Sequence, residues 1–281
     1  MDYKIVVDSC CDLTKELKAD RHFQVVPLTL QVGDTYITDD ESFDQAKYLE
    51  LVRTTPDCPK TACPSPEAFK KAYDCDAEAI FVVTLSQHLS GTYNSAVLGR
   101  SLYIEEKGEK KIAVFSSDSA SIGEARIAVK IQEMAEAGES FEKIVKEVSE
   151  FRDNMKTYFV LETLDFLKKN GRLTGLQALF ATVLNIKPVM GADKGVIIKL
   201  DQARGIDKAL AKMAQWVAKE AKDAKDAENK VLSISHTNCP ERAKKVKELI
   251  CSLIKVKDVY IVDTAGVSTT YAGDGGVIIA L

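Results

Sequence analysis

The stretch EAIFVVTLSQHLSGTYNSAVLG, residues 78–99, decides how this chain folds. Ala79 to Leu85 form a continuous apolar run of strand length, the pattern of a strand buried on both faces. From Thr92 to about Glu106, small and apolar residues recur at helical spacing. Between the two lies a loop carrying hydroxyls at Ser86, Ser90, Thr92 and Tyr93, with Ser95 just beyond. A buried strand that passes through a short loop into a helix is the repeating unit of a parallel sheet.

The unit recurs on either side. YKIVV reads as a strand ended by DSCCDL, FQVVPLTLQV as one or two strands, and VGDTY as a tight turn between paired strands. FDQAKYLELVRTT is helical, with Phe43, Ala46, Leu49 and Val52 on one face. KIAVFSS is the next strand, followed by helical residues from Gly123 to Arg152. This alternation predicts a Rossmann-like N-terminal domain with a parallel sheet over residues 1–155, its boundary in RDNMK.

The second half, 156–281, is more mixed. It begins near TYFVLETL, with helical segments at 164–170 and 175–184. IKPVMGADKGVIIKL follows as a hairpin turning between Gly191 and Gly195. A helix over 205–222 carries Ile206, Leu210, Met213 and Val217 on one stripe. Strand 231–235, helix 240–253 and strands around 259–263 and 276–280 complete the chain. The hairpin breaks the strand–helix alternation, so this domain reads as α+β and the fold class as α/β with two domains.

Bulk composition narrows the function. Across 281 residues, 38 basic and 42 acidic side chains are interspersed and leave a net charge of -4. No basic field of the kind nucleic acid requires is visible. The start, MDYKIVVDSC, lacks the basic-then-apolar pattern of a signal peptide. The apolar runs fall well short of the roughly 18 residues a membrane helix needs. A cytoplasmic protein is expected, and not an integral membrane protein. The seven cysteines form no CxxC pair and there are only three histidines, which argues for reduced thiols and no metal site.

Four stretches offer chemistry. Ligands of open parallel sheets sit beyond the carboxyl ends of the strands, where loops feed helix N-termini. In LSGTY, Ser90, Gly91 and Thr92 offer hydroxyl and amide donors to a small anion, or Ser90 simply caps the helix. In PKTACPSPEAF, Ser65 and Pro66 suit a helix start, which leaves the Thr61 hydroxyl uncommitted. In LDFLKKNGRLTG, Asn170-Gly171 ends a helix and Arg172 follows. In DTAGVSTTYAGDGG, hydroxyls and three glycines make a flexible, donor-rich loop without the spacing of a dinucleotide fingerprint. His88 is the candidate base nearest Ser90, and His236 reads as a surface residue at a helix entry. These stretches supply anion donors without an evident catalyst.

Taken in order, VDSCCDL, VVPLTL, KTACPS, LSGTYNSA, LDFLKKNGRLTG, LNIKPVM and the terminal glycine loop resemble the DegV family over nearly the whole chain. The resemblance implies a fatty-acid-binding protein that is not itself an enzyme and needs no cofactor. Its acyl chain would lie in an apolar tunnel, with the carboxylate at the domain interface. It also implies a partner, a dihydroxyacetone-kinase-like fatty-acid kinase that converts the presented acid to an acyl phosphate. By the same resemblance Thr61 and Ser90 bind the carboxylate, Arg172 belongs to the surrounding polar network, and Arg204 meets the kinase. One departure concerns the C-terminal loop, where the family typically reads Thr-His-Thr-Gly-Pro-Gly. Here it reads TYAGDG, with Tyr271 at the histidine position. Tyrosine still offers one hydrogen bond but cannot become a cation. The competing readings are a thioesterase or acyltransferase using Ser90, and a nucleotide-binding module using glycines 273–276.

Overall fold

The computed structural model describes residues 1–173, 175, 185–224 and 226–281. Four parallel strands form the first sheet: β1 (Tyr3–Asp8), β2 (Phe23–Val26), β6 (Ala79–Thr84) and β7 (Lys111–Ser116), in the order β2-β1-β6-β7. Every residue of β6 is buried, as its unbroken apolar run requires. The connections carry α1 (Lys15–Ala19), α2 (Gln45–Thr54), α3 (Pro66–Tyr73) and α4 (Thr92–Lys107). A small antiparallel sheet, β3 (Thr29–Val32), β4 (Thr35–Thr38) and β5 (Lys60–Ala62), stands apart with β3 in its centre. FQVVPLTLQV therefore supplies two strands to two different sheets, divided at Pro27.

After α5 (Ile122–Glu136) and α6 (Phe141–Asn154) comes a six-stranded mixed sheet. It comprises β8 (Thr157–Val160), β9 (Ile186–Asp193), β10 (Val196–Arg204), β11 (Val231–His236), β12 (Asp258–Asp263) and β13 (Val277–Ala280), in the order β10-β9-β8-β13-β11-β12. Among the described residues only β11 and β12 run parallel in it. Among the described residues its helices are α7 (Asp165–Lys169), α8 (Ile206–Ala224), α9 (Pro240–Leu253) and α10 (Gly266–Ala272). The fold is thus α/β, with a parallel sheet in the first half and a mixed sheet in the second.

The long helix α5 joins the two sheets. Ile122, Ala125, Ile127, Ala128 and Ile131 are all buried, because strands of both sheets pack against it. Its first seven residues, Ile122 to Ala128, are all buried and apolar apart from Glu124 and Arg126, whereas Glu133 and Glu136 near its end are exposed. Gly123 is required at its start: a Cβ there would lie 2.0 Å from Ser119 Oγ and 3.2 Å from Thr157 Oγ1. The structure thereby brings the loop after β7 against β8.

Several expectations need correction. On α2 the buried face centres on Tyr48, flanked by Phe43, Leu51 and Val52, while Ala46 is exposed. The aromatic ring outweighs the small alanine in choosing which face turns inward. The hairpin turns at Lys194-Gly195, with Gly191 inside β9 paired to Ile198 and Tyr158. Gly191 serves close packing and not a turn: a Cβ there would sit 2.8 Å from Leu200 Cδ1. His236 is buried at the end of β11, where its Nδ1 accepts the Cys239 amide at 3.3 Å. Residues 266–272, expected as flexible loop, form the buried helix α10. The helix expected at 164–170 is α7, and the one expected at 175–184 lies almost wholly outside the described residues.

Candidate functional site

The carboxyl ends of β1, β6 and β7 face a cavity of about 820 Å³, counted to its open mouth. Leu28, Leu85, Phe159, Leu161, Ile197 and Val267 give it an apolar wall drawn from both halves of the chain. Thr61, Ser90, Arg172 and Tyr271 line the same cavity, although they are separated by as many as 210 positions.

Each of these polar side chains is mounted on a separate element. Thr61 is central in β5, paired across to Leu30 of β3. Tyr271 lies in the last turn of α10, and its hydroxyl meets Thr61 Oγ1 at 2.9 Å. Arg172 follows Gly171, whose φ of 74° ends α7. Its guanidinium donates to the carbonyls of Asn170 and Leu89, the latter at 3.1 Å, and lies 5.5 Å from the centre of the Tyr271 ring. Arg172 therefore both satisfies a helix end and brings positive charge to the cavity.

Ser90 does not cap α4. The N-cap is Gly91, which makes no side-chain cap. Ser90 Oγ bonds Thr92 Oγ1 at 2.9 Å and accepts the Thr92 amide at 3.3 Å. Thr92 is fully buried and Gly91 exposed, and neither is among the cavity-lining residues. The first intrahelical bond runs from the Ser95 amide to Gly91 O, so the preceding amides project from the helix end. Arg204 is exposed at the end of β10, away from the cavity lining.

A second polar group lies behind the wall. Asp8, Asp12, Asp39 and Glu124 are all buried, and among the described residues none of them forms an ion pair. Asp8 accepts the Cys10 and Leu85 amides, each at 2.8 Å. Asp12 accepts the Ala265 amide at 2.6 Å and the Ser121 hydroxyl. Burial pushes Asp8 and Asp12 up to about 7, although those same donors pull the other way. Burial likewise raises Asp39 against the Val267 and Gly266 amides.

Glu124 is raised well above the carboxylate range by burial, then by the charges of Asp8 and Asp12, and both its oxygens lack a hydrogen bond of normal geometry. Donor atoms of Asp8, Cys10 and Glu124 lie within 4.8 Å of one another. Burial raises the Cys10 thiol in the same direction as Glu124. Ser121, between wall and acids, adopts φ 60°, a strained conformation for a non-glycine residue. Its hydroxyl is held by Asp12 and by Ser235, the latter at 2.7 Å.

A family model described as "Uncharacterised protein, DegV family" matches residues 2–281. The chain belongs to the DegV family. A DegV domain-containing protein of Streptococcus gordonii is 35% identical over 282 residues, covering 99% of this chain and 98% of the relative. The crystal structure of a DegV family protein from Ruminococcus gnavus, refined with vaccenic acid, is 51% identical with a TM-score of 0.96, covering 99% of both chains. The Streptococcus pneumoniae fatty acid kinase (Fak) B3 protein, loaded with linoleic acid, is 32% identical with a TM-score of 0.87, covering 100% of this chain and 99% of that one.

The site of this DegV protein also contains residues that sequence reasoning passed over. Ser119, Ser121, Thr157 and Ser268 line the cavity, and their hydroxyls are engaged with protein partners such as the 2.7 Å Ser119–Thr157 contact. Asp39 sits in TDDES, a polar stretch that reads as surface. Glycines 273–276 do not form an open cradle. The Arg242 guanidinium fills the space beside Gly275 and donates to its carbonyl, with Glu162 pairing to Arg242 at 2.8 Å. His88 is exposed, with its ring against Gly195, and makes no hydrogen bond to Ser90.

Proposed function

We propose that this protein binds a long-chain fatty acid, its carboxylate at Thr61, Ser90, Tyr271 and the start of α4 and its acyl chain in the apolar cavity. The observation that carries the reading is a largely apolar cavity that also takes in the Thr61–Tyr271 hydroxyl pair, the Ser90 hydroxyl and the Arg172 guanidinium. A carboxylate accepts hydrogen bonds only, and an acyl chain has no other polar atom to satisfy. Burying about 15 methylenes at ~0.8 kcal/mol each yields on the order of 12 kcal/mol before ordering costs. The tunnel would supply the affinity and the hydroxyls the orientation. Gly91 and Thr92 would act through the helix start, Thr92 by holding Ser90 in place.

The fatty acids carried by the Ruminococcus and pneumococcal relatives support this reading, and the pneumococcal protein's name supports a kinase partner. In this reading the chain presents its ligand, in the cytoplasm, to a fatty-acid kinase that forms the acyl phosphate, with exposed Arg204 at the contact. The two sheets with their helices would be two domains meeting near residue 155. Native mass spectrometry of the purified protein, repeated after solvent extraction, tests the binding. One fatty acid per chain, lost on extraction, is the expected result. A ligand-free protein that also takes up no added fatty acid overturns the reading.

A further inference from the structure

The hydroxyl pair at the mouth, Thr61 and Tyr271, comes from two elements that a third interaction holds together. Asp39 directly follows β4, and its backbone amide is anchored to Leu28 O at 3.0 Å. Its carboxylate spans the first turn of α10: Oδ1 accepts the Gly266 amide and Oδ2 the Val267 amide, both at 2.8 Å. The approach is so close that a Cβ on Gly266 would lie 2.5 Å from Asp39 Oδ1 and 2.5 Å from Leu30 Cδ1. Glycine at 266 is therefore demanded by the grip and not by its backbone angles. Further along α10, the fully buried Tyr48 bonds Thr270 Oγ1 at 2.6 Å through its hydroxyl. Both anchors flank the small sheet that carries Thr61. Tyr271, one residue past Thr270, is thus delivered to Thr61 by hydrogen bonds made at other residues of α10, of which Val267 also lines the cavity.

We propose that Asp39, with Tyr48, is a positioning residue: by gripping α10 it holds the Tyr271 hydroxyl against Thr61 and so shapes the end of the cavity that meets the ligand's head group. The carboxylate suits this role because it presents two acceptors to two adjacent helix-end amides. Asn at this position would turn an N–H toward one of those amides.

The affinity arm of the test rests on the fatty-acid reading, and the spectroscopic arm does not. In ligand-free protein labelled with fluorotyrosine, the Tyr271 signal, assigned with Tyr271→Phe, should shift in Asp39→Asn to where Thr61→Val places it. A signal left at its wild-type position overturns the proposal whatever the protein binds. With oleate and its methyl ester as probes, Asp39→Asn should weaken the acid roughly three- to tenfold and the ester less than about twofold. In a Tyr271→Phe background it should add nothing further. Equal weakening of both probes, or full additivity with Tyr271→Phe, marks a merely structural residue and overturns the proposal. Wild-type protein that binds neither probe removes the fatty-acid reading, while the fluorine signal still decides Asp39. If Asp39→Asn fails to fold, Tyr48→Phe, which keeps the ring, must reproduce the same signal shift, and its absence overturns the proposal.

Discussion

The mouth of the cavity and the interior behind it are both polar, and they are built in opposite ways. At the mouth, the side chains of Thr61, Ser90, Tyr271 and Arg172 are all partly exposed and line open space. Behind the wall, Asp8 and Asp39 are buried and spend both oxygens on backbone amides, and buried Asp12 divides its oxygens between the Ala265 amide and the Ser121 hydroxyl. Partly exposed hydroxyls and a cation beside open space leave room for a guest acceptor, whereas acceptors consumed by buried donors fix the path of the chain. On the proposed function the first region serves the ligand and the second the architecture.

The sharpest way to break that comparison is Asp8→Ala. It strands two buried amides, and about 3 kcal/mol of stability should be lost in urea unfolding. A loss below about 1 kcal/mol would mean the interior acids do not organise the fold.

Next comes pH. Asp8 and Asp12 titrate near 7 in the folded chain, against an ordinary value of 3.8. Between those values the folded state holds protons that the unfolded state has released, so their contribution is fully present below about pH 4 and lost as pH rises toward 7. Asp8→Asn should flatten that decline by on the order of 1 kcal/mol or more. Parallel curves for variant and wild type would remove Asp8 as a source of the slope.

At the mouth, Ser90→Ala should lower fatty-acid affinity about fivefold in a titration while changing stability by less than about 1 kcal/mol. The reverse pattern would move Ser90 to the architectural side. The smallest expected effect is that of Tyr271→His, which restores a side chain able to become a cation. Affinity should strengthen about two- to threefold below roughly pH 6.5 and stay flat above it. Unchanged affinity and pH dependence would mean the tyrosine does not alter how the head group is held.

Much of the framework is legible without coordinates. The apolar run of β6, the Pro240 start of α9 and the stripe of α8 follow from local periodicity and capping, which act within a few residues. Thr61, Ser90, Arg172 and Tyr271 are legible as candidates through the family pattern, and the structure brings all four to one cavity. The buried acids are not legible. Asp39 in TDDES and Asp12 in DSCCDL have the composition of surface loops, and only packing against α10 and α5 reverses that reading. His236 and α10 escape sequence reasoning on the same ground, because a short segment of small polar residues carries no hydrophobic period to mark it as core.

Sequence alone determined the strand–helix alternation, the family and the identities of the donors at the mouth, since these depend on residue type and near-neighbour spacing. Tertiary structure alone decided that Thr61 and Tyr271, 210 positions apart, share a 2.9 Å hydrogen bond, and that carboxylates from the first half clamp a helix from the last. Such contacts are made by chain closure across the two sheets, and their partners carry no local signal of each other.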